Sequence, residues 1–177
     1  MKWEEVGGEQ CSIARASAVL GDRWTLLILS DVFLGVRRFE DFQDRLRISR
    51  TTLTNRLKTL MAHGVLERRA YCSMPTRYEY WLTEKGADLY PVMATLAKWG
   101  DDHYADGAGP PILRQHTVCG QDFDPVVVCS ECGEVPDLST TRVRKRPERD
   151  GYPSVRRGPL TYEEASDAEA ATKVMAE

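Results

Sequence analysis

From Cys11 onward the apolar residues recur at three- and four-residue spacing, the period of helices packed on one side. Cys11 to Leu20 sets Ile13, Ala16, Val19 and Leu20 on one face and stops at Gly21. Asp22 suits the cap of a second helix carrying Trp24, Leu27, Ile28 and Val32, and Gly35 closes it. A third helix, Phe39 to Leu46, turns Phe39, Phe42 and Leu46 inward. Arg47 and Ile48 leave only a tight connection before Ser49, which can cap a fourth helix with Leu53, Leu57, Leu60 and Met61 in its stripe. Gly64 ends that helix, and the period then changes. Thr76 to Thr83 alternates, with Tyr78, Tyr80 and Leu82 on one side and Arg77, Glu79 and Trp81 on the other. This predicts a β-hairpin with Cys72 to Pro75 near its tip. A long helix follows from about Glu84 to His103, with Leu89, Val92, Met93, Leu96 and Trp99 as its apolar face. Gly86 and Pro91 interrupt it, and Pro91 marks either a kink or a later start.

These elements divide the chain into an arm, 1–10; a helical domain with one hairpin, 11–105; a Gly/Pro linker, 106–111; a cysteine-rich extension, 112–138; and a tail, 139–177. The expected fold is mainly α with a small β-hairpin, followed by a small cysteine-rich β segment. At 177 residues such a chain can bury one good core and keep an appendage. The apolar runs, such as Leu26 to Leu29, are too short to span a bilayer. The polar start, MKWEEVGGEQ, does not read as a secretion signal, so a cytoplasmic location and reduced thiols are expected.

Net charge is −3, yet Val36 to Tyr78 holds ten cations against four acids. A basic segment inside an acidic chain is the electrostatic footprint of a phosphate-binding surface, whatever the overall pI. On the fourth helix Thr51, Asn55 and Lys58 fall opposite the leucines, with Thr54 beside them and Arg50 at the amino-terminal end. Short hydrogen-bonding groups and cations on one face suit a major groove, although a solvated polar face has the same composition. The short turn before this helix and the basic hairpin after it favour the groove: two helices joined tightly, then a wing. The expected partner is double-stranded DNA. Helix 49–63 is expected in the major groove, with Ser49 at its start among the DNA-binding residues, Arg50, Thr51, Thr54 and Asn55 toward base edges and Arg56 and Lys58 toward phosphates. Arg68, Arg69 and Arg77 place a wing, 67–82, on the backbone or minor groove.

The order of elements also resembles the HxlR-type, MarR-like family of bacterial winged helix-turn-helix transcriptional regulators. The likeness rests on Cys11, the run Gly21-Asp22-Arg23-Trp24-Thr25-Leu26-Leu27-Ile28-Leu29, Arg38-Phe39, the Ile48 to Leu60 helix, and Gly64 with Glu67-Arg68. Pro75, Tyr80-Trp81-Leu82-Thr83-Glu84-Lys85-Gly86 and Trp99-Gly100 complete it. The resemblance implies a homodimer joined through the first and last helices of the domain, acting on palindromic operator DNA as repressor or activator. Repression is the expectation here. In some members the amino-terminal cysteine senses electrophiles or oxidants; the corresponding Cys11 stands near a helix start, with Arg15 one turn on. A small buried residue in the dimer seam is the competing reading. A small-molecule effector at that seam, near Trp24 and Trp99, is a further option.

Beyond Ala105 the chain departs from the minimal family domain. His116-Thr-Val-Cys119-Gly120 and Cys129-Ser-Glu-Cys132-Gly133 each set two soft ligands three residues apart, followed by glycine. Together they supply four donors for a structural, tetrahedral Zn²⁺ with no open position, and Val126 to Val128 reads as a ribbon strand. A Cys129/Cys132 redox pair is the alternative. Ser139 to Arg157 carries seven cations against two acids, and Thr161 to Glu177 is acidic and Ala-rich. No paired carboxylates, nucleophile–base set or phosphate-cradling glycine loop stands out, so a non-enzyme is expected. A winged-helix module used for protein contacts is the remaining class.

Overall fold

The structure, a computed structural model, describes residues 11–143. The expected arm 1–10, most of the basic tail and the acidic stretch after Thr161 lie outside the described residues. The chain divides into two compact units, Met1–Pro125 and Val126–Glu177. The first knuckle therefore belongs with the helical domain and the second with the carboxy-terminal unit.

In the first unit α1 (Ser12–Leu20), α2 (Arg23–Phe33), α3 (Phe39–Leu46) and α4 (Arg50–Ala62) follow the apolar periodicity. Asp22 caps α2, its Oδ1 accepting from the amides of Trp24 at 3.0 Å and Thr25 at 3.4 Å. Ser49 caps α4 by accepting from Thr52 N at 3.1 Å. Between them Arg47 takes a left-handed conformation, φ 49°, that turns the chain from α3 into α4. The hairpin follows as β1 (Leu66–Ser73) and β2 (Thr76–Leu82), antiparallel, with Leu66 opposite Leu82 and a register shift between Ala70 and Cys72. Arg38 adds a single bridge to Glu79, and Tyr80 N donates to Arg37 O at 2.8 Å, so the connection before α3 extends the wing sheet.

The expected long helix is two helices. α5 (Glu84–Ala87) is one turn, and α6 (Tyr90–Tyr104) begins anew with Pro91 in its first turn, where a missing amide costs no helical bond. Beyond α6 two short strands, β3 (Gln115–His116) and β4 (Gln121–Asp122), pair antiparallel. Val126 to Val128 forms no strand.

The core gathers Ile28, Leu29 and Val32 of α2, Phe42 of α3, Ile48 of the turn before α4, Leu53, Leu57 and Leu60 of α4, and Val65 and Leu66 entering the wing. Each such side chain contributes about 1.5–3 kcal/mol on burial. The leucines of α4 are its anchored face, which leaves the opposite face to solvent. Among the described residues no helix is long and apolar enough to cross a membrane.

Candidate nucleic-acid interface

Helix α4 presents Arg50, Thr51, Asn55 and Lys58 as exposed residues, while Thr54 and Arg56 are half-buried. Its two ends are fixed differently. At the start Ser49 Oγ also lies 2.8 Å from Thr52 Oγ1, so Ser49 serves the helix end. Arg50 stacks over the Phe39 ring at 5.1 Å, which holds its guanidinium beside the turn. At the other end Thr83 Oγ1 donates to Gly64 O at 2.6 Å, Lys85 Nζ donates to His63 O at 2.8 Å, and Thr83 N donates to Val65 O at 3.1 Å. The same Thr83 hydroxyl accepts from Gly86 N at 3.1 Å and caps α5. Gly86 is required there, since a Cβ would stand 2.1 Å from Val65 O. The backbone just past α4, from its C-cap His63 to Val65, is thus tied to the exit of the wing.

Arg56 turns inward. Its Nη2 meets Asp22 Oδ2 at 3.0 Å, linking α4 to the first turn of α2, and its Nε is buried without a hydrogen-bond partner. A second strut joins α2 to α3: Arg45 Nε and Nη2 donate to Asp31 Oδ1 at 3.1 and 3.0 Å. Asp31 is 5% exposed, and bonding to it raises the Arg45 pKa above its ordinary value. Both ion pairs reach α2, which therefore sets the angle of the two helices before the wing. Asp22 reads from sequence as a cap, and only the fold reveals it and Asp31 as anchors.

On the wing the cations lie over rings. Arg68 stacks on Tyr78 at 4.3 Å, while Arg69 and Arg37 both lie over Trp81, at 5.1 and 4.9 Å. Arg69 Nε also donates to Glu67 Oε1 at 2.8 Å. Arg38 stacks on Tyr71 at 4.5 Å and donates to Glu79 Oε1 at 3.1 Å, and that bond raises its pKa. Arg77 is exposed near the tip. The alternation of Tyr78, Tyr80 and Leu82 against Trp81 was visible in the sequence, but the pairing of Trp81 with Arg37, forty-odd positions away, was not. Burial pushes the Tyr80 phenol up as it packs edge-on to Phe42 at 6.4 Å. The surface made by α4 and the hairpin is cationic, with guanidiniums held in place before any partner arrives. Such a surface can meet phosphates and base edges without first ordering long side chains.

Cys11 is the N-cap residue of α1 and is half-buried. Arg15 Nη2 donates to Ser12 Oγ at 3.2 Å. In the first knuckle Gly120, φ 71°, lets its amide donate to His116 O at 2.7 Å, and Cys119 Sγ stands 3.4 Å from His116 Nδ1. In the second knuckle Gly133, φ 77°, donates to Cys129 O at 2.9 Å, and Cys129 N donates to Glu134 O at 2.8 Å. Amides of Glu131 and Cys132, with the Cys132 side chain, lower the Cys129 thiol pKa. Among the described residues no three His, Cys, Asp or Glu side chains are gathered so as to hold a metal ion.

The family model described as HxlR-like helix-turn-helix matches residues 19–107. The uncharacterised HTH-type transcriptional regulator Rv3095 of Mycobacterium tuberculosis is 46% identical over 123 residues, 70% of this chain and 78% of the relative. The HTH-type regulator sll1512 of Synechocystis is 38% identical over 96 residues, 54% of this chain and 71% of that one. Among solved structures, PA1607, described as a candidate transcription factor, superposes with a TM-score of 0.71 at 30% identity, covering 79% of this chain and 98% of that one. The redox regulator HypR in its oxidised form gives 0.51 at 29% identity, covering 54% of this chain and 100% of that chain.

Proposed function

The chain belongs to the HxlR-like helix-turn-helix family of transcriptional regulators, and from that premise we propose that it is a homodimeric repressor reading palindromic operator DNA. Helix α4 enters the major groove with Arg50, Thr51, Thr54 and Asn55 toward base edges, and Lys58 meets phosphate. The wing carries Arg68, Arg69 and Arg77 to the backbone or minor groove. Arg56 acts through its ion pair with Asp22 and holds α4 at its angle. The observation that carries this reading is the exposed row Arg50, Thr51, Asn55 and Lys58 on a helix anchored at both ends, beside a cationic hairpin.

Self-association is supported by apolar groups that the single chain leaves in water. Ile13 of α1 is 75% exposed, and Val92 and Trp99 of α6 are 51% and 53% exposed. The decisive experiment selects duplexes from a random pool with the purified chain, then titrates the winner and a scrambled duplex against salt. A palindromic consensus with a steep salt slope supports the reading. An absence of salt-dependent duplex binding favours a module for protein contacts.

For the extension, zinc is proposed on donor chemistry: one imidazole from His116 and three thiols from Cys119, Cys129 and Cys132 suit Zn²⁺ in a structural role. A second reading rests on Cys129, whose thiol is favoured as thiolate by neighbouring amides, and on the likeness to the redox regulator HypR. There Cys129 and Cys132 lose two electrons and two protons to a peroxide and form a disulfide. Cys11 is the other candidate thiol for an oxidant or electrophile signal. Metal content separates these readings, since a filled zinc site withholds its thiols from oxidants.

A further inference from the structure

A cavity of about 350 Å³ opens between α2 and α6, and its third wall is Ile112 to Gln115, past the end of the family-matched segment 19–107. That wall is fastened to its own unit. Arg114 Nη1 meets Asp101 Oδ2 at 3.7 Å, Phe123 N donates to Arg114 O at 2.8 Å, and Gln115 pairs with Asp122 across β3 and β4. The minimal domain would leave a groove here, and the extension makes it a pocket.

Its size and lining choose the occupant. An apolar cavity near 150 Å³ accepts benzene, and ligand pockets begin at roughly 300 Å³, so this one takes about two fused rings. Leu26, Phe33, Met93 and Leu113 supply apolar surface, and Ser30 and Gln115 supply uncharged hydrogen-bonding groups. The one cation of the lining, Arg114, is already paired with Asp101. A net charge on the ligand would find no free counter-charge and would lose hydration.

Part of the exposed apolar surface of α6 lies outside this pocket. Met93, Ala94, Leu96 and Ala97 line the cavity, whereas the exposed Val92 and Trp99 are not part of it. The exposed Ile13, Val92 and Trp99 are therefore available to a second copy without filling the pocket. The cavity also borders the helix that both struts use, through Asp22 to Arg56 and Asp31 to Arg45.

We infer that this cavity binds a neutral, flat, two-ring aromatic molecule with one hydrogen-bonding substituent, and that occupancy shifts α2 against α6 and so re-angles α4. The second half of this inference rests on the DNA-binding reading; the first does not.

The test titrates the full chain with 2-naphthol by calorimetry, with naphthalene-2-sulfonate as the charged counterpart. Saturable binding of about one 2-naphthol per chain is expected, with the sulfonate about tenfold weaker. Ala97→Phe, which fills the cavity, abolishes binding. Leu113→Asp, on the exposed extension wall, weakens it about tenfold and guards against a variant that misfolds. Both variants keep the elution volume of the parent chain. No saturable binding, equal binding of the sulfonate, or undiminished binding by Ala97→Phe would overturn the pocket. Dissociation of the assembly by Ala97→Phe would give the cavity to a second copy and overturn it also. A 2-naphthol-induced change in duplex affinity supports the coupling, and an unchanged affinity with the pocket occupied refutes it. Because binding is read without DNA, failure of the pocket leaves the DNA reading standing, and failure of duplex binding leaves the pocket standing.

Discussion

Arg56 of α4 meets Asp22, the cap of α2, at 3.0 Å, and its Nε is buried in the protein. A phosphate contact and a strut differ in how their loss reads against salt. Arg56→Ala should leave the salt slope of duplex binding unchanged while lowering affinity and melting temperature. Lys58→Ala, on the exposed face, should lower the slope by about one ion. A slope change of that size for Arg56→Ala would restore it to the phosphate contacts. Asp22→Ala loses the cap as well, about 1 kcal/mol by thermal or denaturant unfolding, whereas Asp22→Asn keeps the cap and loses the ion pair.

Gly86 and Gly100 should respond in opposite directions to the same substitution. A Cβ at Gly86 would stand 2.1 Å from Val65 O, and at Gly100 it would meet nothing within 4 Å. Gly86→Ala is expected to cost about 3 kcal/mol, since the backbone of the wing entry has to move. Gly100→Ala, inside α6, should gain about 0.5–1 kcal/mol from helix propensity. Urea unfolding of the two variants decides it, and equal effects would contradict the packing.

Base reading and backbone contact separate at Asn55 and Arg77. Asn55→Ala should relax preference at one position of each half-site, with a loss of about 1–3 kcal/mol confined to the preferred duplex. Arg77→Ala should weaken preferred and scrambled duplexes alike. Binding measured on both duplexes across a salt series would reject these roles if the two variants behaved the same way.

These contrasts also mark how far the sequence could be read. The bounds of α3 and the start of α4 follow from local signals, because Phe39, Phe42 and Leu46 share a face and Ser49 is a good cap. The break between α5 and α6 was only half visible. Pro91 marked either a kink or a later start, but the short turn of α5 depends on Thr83, Gly64 and Val65 coming together across the chain. The exposed α4 residues were legible from the helical wheel. The inward turn of Arg56 was not, because Asp22 lies 34 positions earlier and no local pattern pairs them. Three consecutive valines, Val126 to Val128, have strong β propensity, yet a strand needs a neighbour to bond with, and none forms there.

Trp99 and Val92 should be the most sensitive points of self-association. Trp99→Glu is expected to convert the assembly to single chains at micromolar concentration, read by light scattering. Duplex affinity should fall at the same time, because two linked half-site contacts become one. An unchanged mass would move the interface elsewhere.

Metal removal tests the extension. The chain purified without chelator should carry about one zinc, with Cys119, Cys129 and Cys132 slow toward a thiol reagent and Cys72 reactive. Chelation should expose all three. No metal together with prompt reaction of all these thiols would end the zinc reading and favour the dithiol one.

Thr83 and Lys85 hold the carbonyls just past α4, at His63, Gly64 and Val65, which ties the exit of α4 to the exit of the hairpin. On the DNA-binding reading, the angle between a major-groove probe and its neighbouring backbone probe is then set by the protein. A duplex must match that angle or be bent to it, and the ease of bending belongs to base steps that neither element touches. Operator choice therefore extends to the stiffness of untouched sequence between the contacts.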